Sequence, residues 1–194
     1  MTTPDIRAAE AAGLEHRVFR HGPVASLAEA ARIRGVTPAD VVKTLVVRRA
    51  DDDYLFVLVP GDRTISWPKL RALLGVSRLS MPDAAVAREV TGYERGTITP
   101  LGARTAWPVI ADQRIAGRQI SVGAGQHGVA IGAAADDLIA VLNATVADVT
   151  DPAEAPAGKS AGNSESDGNS ESAGNSESAG EPGAKTSRQR GARP

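Results

Sequence analysis

Residues 41–60 read VVKTLVVRRADDDYLFVLVP, two apolar runs separated by three aspartates. Valine and leucine at that density, in runs shorter than ten residues, predict strands over 41–49 and 54–60 with a hairpin turn at residues 51–53. A hairpin in mid-chain, with helices on either side of it in sequence, favours α+β over a doubly wound parallel sheet. One residue breaks the apolar pattern. Lys43 falls on the same strand face as Val41, Leu45 and Val47, where an ammonium is costly unless its head reaches water or an anion. From position alone, a lysine on an exposed edge or snorkelling at a strand end is the simpler account, and a working residue is the alternative.

Outward from this hairpin, residues 1–150 alternate helix and strand signals. Thr3-Pro4 followed by IRAAEAA and Gly13 has a cap, a proline in the first turn and a glycine stop. Residues 15–20 suit a short strand, and Ser26-Leu-Ala-Glu29 is a capping box opening a helix that ends at Gly35. Thr37–Asp40 forms a short helical turn, and Ser66 caps a helix that stops at Gly75. A strand near 76–80, a helix from Pro82 to about Val90 and short strands at 107–112, 118–123 and 128–132 follow. A helix at 134–142 and a strand at 145–149 close the domain. The expected fold is a single compact α+β domain with a mixed, barrel-like sheet flanked by helices.

Composition bounds the chemistry. The chain has 194 residues, 42% hydrophobic, with a net charge of −1, so any nucleic-acid partner must be met by a local patch. It has no cysteine, which excludes disulfides, thiolate metal sites and cysteine nucleophiles. His16, His21 and His127 are too scattered for a metal cage, and neither metal nor cofactor is expected. No run approaches the roughly 18 apolar residues of a membrane span, and MTTPDIRAAEAAG is not a signal peptide, so a cytoplasmic protein is expected. From residue 151 the composition changes. GNSES recurs from Gly162, Gly168 and Gly174, and the chain ends in KTSRQRGARP. Such a segment buries no core, so residues 151–194 are expected to be a disordered low-complexity tail with a basic end, and residues 1–150 the folded domain. A solubilising tail is the bland account of it, and an adaptor for a protein partner the alternative.

Two glycine-rich loops could carry chemistry. In Gly92-Tyr-Glu-Arg-Gly-Thr-Ile-Thr-Pro-Leu-Gly102, Gly96, Gly102 and Pro100 rule out a continuing helix or central strand. Such a loop can aim backbone N–H groups at a carbonyl or phosphate oxygen, or simply connect two elements. Val122-Gly-Ala-Gly-Gln-His-Gly128 has the glycine density of a phosphate cradle without a Walker spacing, and a plain hairpin explains it equally well. His127 reads as a solvent-facing turn residue more readily than as an acid or base. The sequence carries no G-x-S-x-G elbow, H-E-x-x-H or paired acidic motif.

Taken in order and spacing, Lys43-Thr-Leu-Val-Val, Gly92-Tyr-x-x-Gly96-x-Ile-x-Pro100-Leu-Gly102 and Gly123-x-Gly-x-x-Gly128 resemble the YbaK family. This is a bacterial editing domain also found inserted in prolyl-tRNA synthetases, and the likeness spans residues 3–150. The resemblance implies a trans-acting deacylase that hydrolyses the ester of mischarged tRNA, above all tRNA-Pro carrying cysteine or another small amino acid. It implies Lys43 as the catalytic lysine, oriented toward the tRNA 3′ end. It also implies that Gly96, Thr97, Ile98, Thr99, Pro100 and Gly102 hold the aminoacyl group, with Gly123 and Gly125 closing the pocket. The expected partners are the acceptor end of mischarged tRNA and prolyl-tRNA synthetase, with no membrane. No covalent nucleophile is implied; water or a group of the substrate attacks. Members acting on cysteinyl-tRNA-Pro tend to carry a serine and an aspartate where Gly123 and Ala130 stand here, whereas Thr44 agrees with that branch. The same fold acting as a non-catalytic module for a tRNA end or nucleotide is the alternative function.

Overall fold

The structure, a computed structural model, describes residues 3–153; the tail expected from residue 151 falls almost wholly outside them. The two apolar runs form strands β2 (Val41–Ala50) and β3 (Asp53–Pro60), antiparallel from Val42 opposite Pro60 to Arg48 opposite Tyr54. Asp52 takes the left-handed conformation in their turn, at φ 53°, a position aspartate tolerates better than branched residues. This hairpin is the centre of a seven-stranded sheet in the order β1-β7-β6-β2-β3-β5-β8. The flanking strands are β1 (Arg17–Arg20), β5 (Val109–Asp112), β6 (Gln119–Gly123), β7 (Val129–Ala134) and β8 (Thr145–Ala147). β2–β6, β3–β5 and β5–β8 pair in parallel, and β1–β7 and β6–β7 antiparallel, so the sheet is mixed.

Both faces of β3 are covered, which is why its run is continuously apolar rather than alternating. Phe56 and Leu58 join Val42, Val46, Ile120 and Ile131 in one core. Leu55, Val57 and Val59 join Val47, Ile65, Leu70 and Val149 in the other. Among the described residues five α-helices flank the sheet: α1 (Pro4–Ala11), α2 (Leu27–Arg34), α3 (Trp67–Leu74), α4 (Ala84–Thr91) and α5 (Ala135–Val141). α2 starts where Ser26 Oγ accepts the Glu29 N–H at 3.1 Å and ends at Gly35, left-handed at φ 69°. No helix among the described residues is long and apolar enough to cross a membrane.

Four expectations are corrected. The strand foreseen near 76–80 is reduced to a single bridge in which the N–H groups of Arg48 and Ser80 donate to each other's carbonyls at 2.8 and 3.1 Å. Met81-Pro82 follows at once, and a proline has no N–H to extend a ladder. Ser66 is not a side-chain cap of α3; it is buried, and its N–H donates to Val149 O at 2.8 Å. Thr3 stands at the α1 cap position, but its hydroxyl makes no cap bond. The last strand foreseen at 145–149 is two, β8 and β9 (Thr150–Pro152); β9 pairs antiparallel with β4 (Arg63–Ile65), and neither three-residue strand was foreseen. β9 crosses the composition change at residue 151. Buried Asp112 ties this region to the main sheet, accepting from the Val149 N–H at 3.2 Å and the Thr150 hydroxyl at 2.8 Å.

Candidate active site

β6 accompanies β2 only at Val41 and Val42, and the next pairing on that edge of β2 is the Arg48–Ser80 bridge. Strand alternation turns the N–H and C=O groups of Thr44 and Val46 to the same edge as those of Arg48. Among the described strands none pairs with β2 there, so a gap opens in the sheet between Gly123 at the end of β6 and Ser80. A cavity of about 710 Å³ occupies that gap. Val42, Val46, Leu27, Ala84 and Ala87 make apolar walls.

Lys43 borders this cavity from the β2 side. It is not a free edge charge. Its half-buried ammonium donates to Gly61 O at 3.1 Å and Arg63 O at 2.5 Å. Gly61 is needed for that approach, because a Cβ there would lie 2.2 Å from Pro38 O and 2.8 Å from Val41 O. Burial pushes the Lys43 ammonium below the usual lysine range, partly offset by the Asp62 carboxylate. The neighbouring Thr44 also lines the cavity, and its hydroxyl oxygen is buried without a hydrogen-bond partner. A buried hydroxyl in that state costs about 1–3 kcal/mol.

The 92–102 loop forms the opposite wall. It leaves α4 at Gly92 (φ 83°), and Thr91 Oγ1 locks the exit by donating to Ala87 O at 2.7 Å and accepting the Tyr93 N–H at 3.1 Å. Tyr93 Oη then donates to Leu101 O at 2.8 Å, tying the two ends of the loop together. Burial, with Asp5 nearby, raises the Tyr93 hydroxyl to about 12, so it stays a neutral donor. The Gly125 N–H donates to Thr97 O at 3.1 Å and joins this loop to the second glycine-rich turn.

The site residues foreseen in sequence separate into two groups. Lys43, Gly96, Ile98 and Gly123 come together around the cavity. Thr97 and Thr99 are buried inside the loop; Thr97 Oγ1 donates to Glu94 O at 2.9 Å, and Thr99 Oγ1 accepts the Leu101 N–H at 3.3 Å. Pro100, Gly102 and Gly125 stand behind the wall. A Cβ on Gly102 would lie 2.8 Å from Pro4 O, and one on Gly125 2.6 Å from Tyr93 Cε1 and 2.9 Å from Asp5 Oδ1. The absence of a side chain at Gly102 and Gly125 therefore serves the packing of the loops against one another and on α1. Gly123 and Ala130 face each other directly across β6 and β7.

Arg34 and Arg95 also line the cavity. The alternation of apolar and charged residues in LAEAARIR gave no sign that Arg34 points inward, and Thr44 was noticed only through the resemblance. Arg48, Arg49 and Arg104 are engaged elsewhere, by Asp51, by Asp53 and by Glu89 O. His127 is exposed, 3.8 Å from Glu94. Among the described residues no cluster of three or more His, Asp or Glu is placed to hold a metal ion.

A family model described as an aminoacyl-tRNA editing domain matches residues 21–141. A proline–tRNA ligase of Heliobacterium modesticaldum is 41% identical over 80 residues, 41% of this chain and 14% of that protein. One from Thermoanaerobacter sp. is 34% identical over 94 residues, 47% of this chain and 16% of the ligase. The chain thus spans no more than 16% of either ligase. A solved structure provisionally described as a trans-editing enzyme for prolyl tRNA synthetase superposes with a TM-score of 0.70 at 25% identity, covering 78% of this chain and 99% of that one. A hypothetical protein of solved structure gives a TM-score of 0.70 at 26% identity, with 76% and 99% covered.

Proposed function

The chain belongs to the aminoacyl-tRNA editing domain family, and on that premise we propose that it is a trans-acting deacylase of mischarged tRNA. The substrate class is tRNA-Pro esterified to cysteine or another small amino acid, and prolyl-tRNA synthetase is its partner in the cell. The observation that carries this reading is the gap in the sheet, where Lys43, Thr44, Gly96, Ile98 and Gly123 meet around one largely apolar cavity. At about 710 Å³ it has room for a terminal nucleoside with a small amino acid, within the usual range of ligand sites.

In this reading two of the three ammonium donors of Lys43 are spent on Gly61 and Arg63, which fixes the head and leaves the third for the substrate's terminal ribose. The loop residues Gly96 and Ile98 hold the aminoacyl group, and their backbone donors meet the developing oxyanion, an effect of about 3 kcal/mol per donor in hydrolases. Water adds to the ester carbonyl carbon, the tetrahedral intermediate collapses, and the ribose oxygen leaves with a proton. Free amino acid and uncharged tRNA result. Small size is a weak basis for selection, since one methylene is worth only about 1–3 kcal/mol in a pocket, and a separate hydrolytic check compensates for that limit.

Deacylation assays on tRNA-Pro charged with Cys, Ala, Ser or Thr test the reading; ester loss with at least one is expected, and none with any of them overturns it. A second reading, a module that binds the tRNA end without turnover, is favoured by one observation: Gly123 and Ala130, face to face across the strands, bring no polar side chain to the site. Tight binding without ester loss at excess protein would select it.

A further inference from the structure

Arg34, the last residue of α2, is half-buried and lines the cavity, yet no carboxylate among the described residues pairs with it. Its Nε and Nη2 lie 3.4 and 3.2 Å from His21 Nε2, and Nη1 lies 3.4 Å from Ser121 Oγ. His21 Nδ1 sits 2.8 Å from Gly22 O, which makes Nδ1 the N–H donor and leaves Nε2 as the acceptor for the guanidinium. These bonds to neutral partners use three of five guanidinium N–H groups and place the head without neutralising it. A half-buried cation without a counter-charge is unfavourable, and burial accordingly lowers the affinity of Arg34 for its proton. Arg34 also borders a second groove, running along His16, Arg17, Phe19 and Gln119. Glu15 and Asp137 border that groove too, and neither pairs with Arg34. Arg34 therefore stands between two adjoining pockets and lines both.

We infer that Arg34 holds the phosphate that joins the terminal nucleotide of the substrate to the preceding chain. The terminal nucleoside lies in the cavity on one side, and the rest of the single strand leaves over the second groove on the other. The two N–H groups left on Arg34 suit a phosphate, whose oxygens accept a planar fork of donors. The inference rests on the deacylase reading for the identity of the nucleotide, because every tRNA ends in adenosine.

Binding of adenosine, adenosine 5′-monophosphate and inorganic phosphate to the full chain tests it by calorimetry, independently of any turnover. The expected result is that the wild type binds the monophosphate at least tenfold more tightly than adenosine or inorganic phosphate. Arg34→Gln removes that preference, and Arg34→Lys, which keeps charge without the fork, retains part of it. Arg34→Gln also raises KM for mischarged tRNA about tenfold, more than it lowers kcat. Equal binding of adenosine and its monophosphate by the wild type, no measurable binding of the monophosphate at millimolar concentration, or a preference unchanged in Arg34→Gln would each overturn the assignment. Inorganic phosphate binding as tightly as the monophosphate would overturn its nucleotide part. Arg34→Lys carries the comparison if thermal melting shows that Arg34→Gln does not fold. A preference that depends on Arg34, in a protein that deacylates none of the charged tRNAs, leaves this inference standing and removes the deacylase reading.

Discussion

Lys43 does two jobs that a substitution will separate. Its ammonium satisfies the carbonyls of Gly61 and Arg63, so Lys43→Ala leaves two half-buried acceptors short at a cost of about 1–3 kcal/mol. For a domain of this size that is a fall in melting temperature of roughly 3–10 °C. Deacylation in the same variant is expected to fall tenfold or more at a temperature where it is fully folded, and a wild-type rate there would remove Lys43 from the mechanism. The pH dependence has a definite sign. Burial lowers the folded-state pKa of Lys43 below its unfolded value, so the charged form destabilises the fold at neutral pH and this penalty fades as pH rises through the folded pKa. Activity that needs the cation moves the other way. The alkaline limb of kcat/KM is expected below the usual lysine range and absent from the residual activity of Lys43→Ala. A second residue-scale outcome concerns Gly123. A Cβ there would stand 3.5 Å from Ile98 O and 3.6 Å from Thr97 O, ordinary contact distances, and Gly123 has no left-handed φ. Gly123→Ser is therefore expected to melt within a few degrees of wild type while its hydroxyl, entering the cavity, changes the relative rates on Cys- and Ala-charged tRNA; an unchanged ratio would separate this position from specificity.

At the scale of elements, the site exists because two strands part company. β6 leaves β2 after Val42, Ser80 rejoins β2 at Arg48, and the interval leaves backbone groups of Thr44 and Val46 facing the cavity. The turn after β3 props this opening, since Gly61 lets the chain pass against Pro38 and Val41 and delivers its own carbonyl to Lys43. Gly61→Ala puts a methyl group into backbone atoms that have no rotamer to give way. Destabilisation of about 3 kcal/mol or more is expected by denaturant titration, with loss of deacylation. Melting unchanged from wild type would show that the turn is not constrained in this way. By contrast Gly102 and Gly125, equally conspicuous in sequence, hold the two loops against α1.

Across the whole molecule, both cores are complete by Val149, the last described strand, β9, ends at Pro152, and the family match ends earlier, at residue 141. A chain truncated after residue 153 is accordingly expected to deacylate mischarged tRNA within about twofold of the full chain; loss of activity on truncation would bring the tail into the function. The sequence alone determined the central hairpin, the helix starts at Ser26 and Pro4, the stops at Gly35 and Gly75, and the break in composition, because each rests on local periodicity or on the backbone freedom of single residues. Periodicity and spacing left Lys43 and the 92–102 loop as separate candidates, and only the family resemblance joined them into one expected site. Which glycines face the cavity, that Arg34 turns inward, that Lys43 is anchored to two carbonyls, and that β4 pairs with β9 were decided by the tertiary structure. Those facts depend on which strands lie side by side and where their pairing stops, and no residue's neighbours in the chain encode that.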